Sequence, residues 1–228
     1  MDLRLSFLLS AAIVFVGTHI ILTHQLRKPL ISLLGQAGFI AAYSLVAFVT
    51  LGWTVYAFAA APRGPYAWPA YADWAWIAAM VISFFALLLL IGSFAGNPAA
   101  PSPKAAELAA SKEPTGAFAV TRHPMMWGIS LWAFSHILLV PEPRTLFLMG
   151  AFIVLGLGGS AMQDRKKQGQ LGDAWTGWQA RTSFIPKLSG LARISPVMWL
   201  GALALWLGIS WLHLPLGGVA AGVWRWLG

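Results

Sequence analysis

Apolar residues in this chain run in long stretches, and charged residues fall almost entirely between them. Six stretches stand out, over residues 3–22, 38–60, 74–94, 124–140, 145–162 and 197–214. Most have the roughly 20 residues that a helix needs to cross a bilayer at 1.5 Å per residue. The fourth is short, so a kinked or incomplete crossing is expected there. No open sheet survives in hydrocarbon, where every backbone polar group must be satisfied internally. The pattern therefore predicts an all-α, polytopic transmembrane bundle of about six spans, forming one domain over 1–228 without internal repeats. The first stretch has little positive charge before it and no small-residue cleavage site after it, so it reads as a retained span rather than a signal peptide.

Two connections are more than linkers. The loop over 96–122 is rich in Ala, Pro and Ser, with a short helix expected near 105–112. The loop over 164–194 carries Trp175, Trp178 and Arg181 at intervals of three, hence on one helical face. That spacing predicts a short interfacial helix with its tryptophans in the headgroup layer.

Composition narrows the class further. The chain is 58% apolar and only 10% charged, against about 25% charged in soluble domains. Its mean hydropathy is +0.71. This is an integral membrane protein. Thirteen tryptophans against four tyrosines fit aromatic belts at the lipid–water boundary. The absence of cysteine removes disulfides, thiolate nucleophiles, thiolate metal ligands and covalent haem attachment. A net charge of +8 raises the question of nucleic acid, but the basic residues sit between apolar helices, where anionic lipid explains them. Eleven of them (Arg27, Lys28, Lys104, Lys112, Arg122, Arg165, Lys166, Lys167, Arg181, Lys187 and Arg193) fall on one side, and four (Arg4, Arg63, Arg144 and Arg225) on the other. The positive-inside bias puts the first side in the cytoplasm and both termini outside it, in the periplasm of a bacterial inner membrane.

The chemistry concentrates in Thr121-Arg122-His123-Pro124-Met125-Met126-Trp127-Gly128. Pro124 suits the first turn of a helix, where its missing N–H costs nothing. Arg122 and His123 then flank free backbone donors at the positive end of the helix dipole, a ready site for a carboxylate or phosphate. The plain alternative has Arg122 snorkelling to lipid phosphates. His136 falls about 18 Å into the same helix. A neutral imidazole at that depth must donate and accept hydrogen bonds, or bind a metal. His19, after Gly17-Thr18 in the first span, has the same character. His24, beside Arg27 and Lys28, reads as an interface residue, and His213, near the outer end of the last span, as structural. Asp164 closes the fifth span before Arg165-Lys166-Lys167. It is either a solvated helix-end carboxylate or a base facing the same site as Arg122 and His123.

Two membrane histidines on different helices can hold haem b as axial ligands. On straight helices His19 lies about 5 Å from the cytoplasmic boundary, near His123, and His136 about 12 Å deeper. Depth thus favours His19 with His123, whereas a tilted or broken fourth span brings His136 within reach. The chain lacks His-Glu-x-x-His, P-loop, Gly-x-Gly-x-x-Gly and Gly-x-Ser-x-Gly patterns, which argues against zinc proteolysis, nucleotide hydrolysis and serine hydrolysis.

At these residues the chain resembles the NnrU family of bacterial membrane proteins and the related plant and algal zeta-carotene isomerase. The resemblance covers Gly17-Thr18-His19, the stretch from Gly35 to Tyr43 and the block from Thr121 to Gly128. It continues through Leu131-Trp132-Ala133 to His136, Asp164-Arg165-Lys166-Lys167 and Arg181-Thr182-Ser183-Phe184-Ile185-Pro186. It implies a multi-span helical protein associated with nitrite and nitric oxide metabolism. The isomerase branch uses histidine-held haem b to convert a cis double bond in a carotene. By position, the resemblance implies His19 and His136 as iron ligands with His123 as the alternative, and Arg122 beside the cofactor.

A more distant similarity links the chain to isoprenylcysteine carboxyl methyltransferases and phospholipid methyltransferases, through Arg122-His123-Pro124, Leu171-Gly172, Trp175, Trp178 and Pro186. The paired glutamates of those enzymes align with Gln163 and Asp164, which weakens that reading. Three functions follow. The first is a haem-b protein of redox or cis–trans isomerase type, acting on a lipophilic or small substrate with Arg122, His123 and Asp164 at its catalytic site. The second is an S-adenosylmethionine-dependent methyltransferase with loop 96–120 as a lid. The third is a non-enzymatic partner of a respiratory enzyme. In each the partners are the bilayer and a small or lipophilic molecule, not nucleic acid.

Overall fold

A computed structural model describes residues 2–100 and 102–227, and among them no strand occurs. The helices are α1 (Leu3–Thr23), α2 (Arg27–Ala60), α3 (Asp73–Gly92), α4 (Ala105–Ser111), α5 (Ala117–Val120), α6 (Pro124–Leu139), α7 (Pro143–Ile153), α8 (Gly159–Leu171), α9 (Asp173–Arg181) and α10 (Pro196–Gly217). α7 runs into α8 through a π-helical turn, Val154–Gly158, so the two form one long rod. Five helices are long and apolar enough to span a membrane: α1, α2, α3, the α7–α8 rod and α10. α6, with 16 residues, is an apolar helix below that length. The chain is an all-α, polytopic membrane protein.

Each helix begins and ends for a local reason. Asp2 caps α1, its side chain accepting from the backbone N–H groups of Arg4 and Leu5. Gly35, with φ of +69°, breaks α2 and separates its basic first turns from the apolar span. Pro124, Pro143 and Pro196 open α6, α7 and α10, where a missing N–H is free of cost. Ser195 adds a side-chain cap to the last of these.

Glycine sets the central packing. α6 lies along α3, and a Cβ on Gly128 would stand 2.7 Å from the Ala86 carbonyl oxygen. Only a hydrogen fits there, so the two backbones approach closely. On its other side α6 meets the π-helical turn at Gly156, where a Cβ would collide with the Ser130 hydroxyl. α1 and α2 pack together and reach the core through α7. α10 rests on α3.

Arg122, Asp164, Lys166 and Lys167 lie at the same end of the rods; we call this the basic face. There α9 forms over Asp173–Arg181, close to the region expected for an interfacial helix. Its tryptophans do not sit among lipid headgroups. Trp175 and Trp178 are fully buried against Ala99, Ala109 and Phe118, because the 96–118 segment folds over them. Arg181 fastens that cover, donating to the Ala109 and Ala110 carbonyls at the end of α4. At the opposite face, the connection from α2 to α3 closes over the end of α6. The Tyr71 and Ala67 N–H groups donate to Leu139 and Pro141, and the Trp68 indole donates to Leu138.

Candidate functional site

Two polar constellations stand out, one at each end of α6. At the basic face, Asp164 of α8 accepts from both residues that precede Pro124. The Arg122 guanidinium donates through Nε and Nη2 at 2.9 and 2.5 Å, and His123 Nε2 donates at 2.8 Å. The His123 side chain is wholly buried, and those of Arg122 and Asp164 are nearly so. Segment 181–187 runs beside the same turn. The Arg122 N–H and Thr121 hydroxyl donate to the Ser183 carbonyl, and the Trp127 indole and Thr121 hydroxyl to that of Phe184. The Phe184 ring lies under the Arg122 guanidinium at 5.3 Å and edge-on to His123. Two separated sequence blocks, 121–128 and 181–186, thus form one clamp.

Asp164 lies two residues past Met162, where the apolar stretch ends. Burial alone pushes its carboxyl up, but the hydrogen bonds from His123 and Arg122 more than reverse this and bring it to about 2. The carboxylate neutralises Arg122 and occupies the fork that an anionic ligand would need.

The second constellation is an apolar cavity of about 550 Å³ in the half away from the basic face. α3 forms its floor through Ala79, Met80 and Ser83, and α6 and α10 form its walls, with Trp132 and His136 on one and Trp206 and His213 on the other. Tyr71 and the C-terminal turn at Ala221 and Gly222 close its end. Its hydroxyl and indole groups are mostly paired among themselves: Trp206 donates to Ser83, Ser135 to the Trp132 carbonyl, and Trp224 to Ser210. His136 Nδ1 sits 2.8 Å from the Trp132 carbonyl oxygen, and His213 Nδ1 sits 2.8 Å from that of Ile209. A carbonyl oxygen only accepts, so each Nδ1 carries a proton, and in the neutral form of either ring the lone pair is on Nε2. A smaller cavity of about 210 Å³, lined by Arg63, Tyr66 and the ion pair of Arg144 with the buried Glu142, adjoins the first and shares Tyr71, His136 and Val140 with it.

With this geometry in view, a family model described as NnrU protein matches residues 7–221, nearly the whole chain. The chain belongs to the NnrU family. No curated protein and no solved structure matches it significantly.

In this NnrU-family chain the candidate residues divide into three places. Arg122, His123 and Asp164 meet in the clamp at the basic face and line neither cavity. His136 lines both cavities at the other end of α6. His19 lies four residues before the basic end of α1, with its ring against Phe15 and Tyr43. It does not share the cavity of His136. A chain of aromatic rings separates the two: Phe15 touches Phe152, Phe152 touches Trp132, and Trp132 touches His136. Among the described residues no group of three or more His, Asp or Glu side chains forms a metal site. Phe184, which carried a signal only through its motif, packs on Arg122 and His123 in the clamp. His213, read from the sequence as structural, lines the same cavity as His136.

Proposed function

We propose that this membrane protein holds haem b in the apolar cavity through His136 and acts on a lipophilic or small molecule of the bilayer. The single observation that carries the reading is His136 Nε2, a lone-pair donor with its tautomer set by the Trp132 carbonyl, on the wall of a large apolar cavity. The cavity volume lies within the roughly 300–1,000 Å³ of cofactor sites. The lining is apolar, as an iron porphyrin face requires, and the adjoining hollow holds Arg63 beside the Arg144–Glu142 ion pair, so Arg63 is the cation there that a carboxylate side group would meet. The residues therefore fit the group.

When bound, the haem supplies an iron whose redox state and Lewis acidity suit double-bond isomerisation or the chemistry of small nitrogen oxides. The chain supplies the rest. His136 would hold the iron, the Trp132 carbonyl orients His136, and the paired serines and indoles of the lining leave water without partners there. Arg122, His123 and Asp164 anchor the start of α6, which sets the position of His136 twelve residues on. With the basic face in the cytoplasm, the cavity lies in the periplasmic half of the membrane.

The test is an absorption spectrum of detergent-purified protein, oxidised and dithionite-reduced, after expression with ample haem supply. A sharp Soret band with split visible bands on reduction, near one haem per chain, is expected. His136→Ala should lose most of it. A featureless spectrum from folded, helical wild-type protein rejects the reading.

A further inference from the structure

The break at Gly35 leaves the start of α2, residues 27–34, as a short segment with its own direction. Arg27 and Lys28 open it, and Leu33 and Leu34 close it, both exposed, with Leu26 exposed just before. Basic residues beside exposed leucines are the composition of a segment at the lipid–water boundary. Across the break the Arg27 guanidinium reaches the Phe39 ring, 5.7 Å from its centre. Phe39 stacks on Tyr43, and Tyr43 meets His19 of α1, so the charge of Arg27 stands over the joint between α1 and α2.

Lys166 and Lys167 of α8 lie near enough for that charge to act on both. Lys167 is only 5% exposed, and Arg27 and Lys166 are half-buried. Lys167 gives one N–H to the Ala100 carbonyl at 3.1 Å, which leaves its ammonium two more donors. No carboxylate answers the three cations. Among the described residues the ion pairs join Arg122 and His123 to Asp164, Arg144 to Glu142, and Arg225 to Asp73. Three sheltered cations held together repel one another, and an anion among them turns the repulsion into attraction.

We propose that Arg27, Lys166 and Lys167 bind the phosphate of an anionic phospholipid, with its acyl chains against the exposed leucines beside Arg27. Basic pockets between helices on the cytoplasmic side of a membrane take such headgroups. The leucines favour a lipid over a free anion, because a dissolved ion has no use for apolar neighbours. A zwitterionic lipid brings its own ammonium into a place already crowded with positive charge. The bound phosphate would join the α1–α2 pair to the α7–α8 rod at the basic face. The site stands apart from the apolar cavity at the other end of α6 and does not depend on what fills it.

The test strips the purified chain of lipid in detergent and titrates it with phosphatidylglycerol, phosphatidylcholine or inorganic phosphate. Native mass spectrometry counts the molecules bound. Wild type should hold one phosphatidylglycerol in preference to phosphatidylcholine, and millimolar phosphate should not displace it. Each cation removed should weaken that binding about fivefold, the worth of one basic residue at an anionic surface. Arg27→Gln with Lys166→Gln is the informative pair, since Lys167 also fastens the 96–118 cover. The single Lys166→Gln serves if the pair fails to fold. Lys104→Gln with Lys187→Gln, two exposed cations elsewhere on the same face, removes equal charge and should leave the binding unchanged.

Equal binding of the two lipids overturns the proposal, as does an equal loss in both double variants, which would mean a diffuse charge effect. Displacement by phosphate makes the site one for a soluble anion and overturns the assignment to lipid.

Discussion

Asp164 is a carboxylate whose surroundings reverse its usual behaviour. Burial disfavours its charge, yet an arginine and a histidine both donate to it, and the balance lies far toward the ionised form. Asp164→Asn would leave a guanidinium nearly buried without its counter-ion. The expected loss is on the order of 3 kcal/mol, read from thermal or denaturant melts in micelles. The sign of the pH effect follows from the depressed value. Because the folded carboxyl titrates near 2, its contribution is complete above the ordinary carboxylate range of about 4 and is lost as pH falls toward 2. Wild-type stability should therefore steepen downward between those values, and Asp164→Asn should lack that limb. That Asp164 faces the same side as Arg122 and His123 was legible from the alternation of spans. That it binds both was not, because spacing within the sequence says nothing about which helix ends touch.

At the scale of elements, the close approach of α3 and α6 hangs on one hydrogen atom. A Cβ on Gly128 would meet the Ala86 oxygen at 2.7 Å and the Leu90 nitrogen at 3.1 Å, both rigid backbone. Gly128→Val should cost about 1–3 kcal/mol by forcing the helices apart. On the proposed function it should also weaken haem uptake, since Gly128 and Leu90 both line the cavity. A variant that melts like wild type would refute the close-packing account. The pattern of apolar stretches foresaw the helices themselves, and the shortness of α6 as well. It placed the α9 tryptophans in lipid headgroups, because a three-residue period identifies a face but not what covers it. The cover comes from a distant segment, held by Arg181 and by Lys167, which donates to the Ala100 carbonyl.

At the scale of the whole molecule, the distribution of charge predicts which way the bundle sits in the membrane, and the side of the cavity follows from it. Lacking cysteine, the chain accepts single reporter thiols cleanly. Leu227→Cys, highly exposed near the C-terminus, should react with an impermeant maleimide in intact cells. Gly169→Cys, exposed on the basic face with open space around it, should react only after lysis. The reverse pattern would place the cavity in the cytoplasmic half and its substrate with it.

The sequence by itself determined the solvent, the class and the family. Hydrophobic burial in lipid depends on composition and run length, and both are properties of a string. It also located the helix-breaking prolines and the Arg-His-Pro turn, since these act through adjacent residues. The tertiary structure alone decided the pairing of sites. Asp164 closes the clamp, and His136 and His213 line one cavity, because helices α6, α8 and α10 lie where glycine contacts and buried tryptophans put them. Which imidazoles share a cavity is a matter of three-dimensional packing, and depth along a single helix could not reveal it.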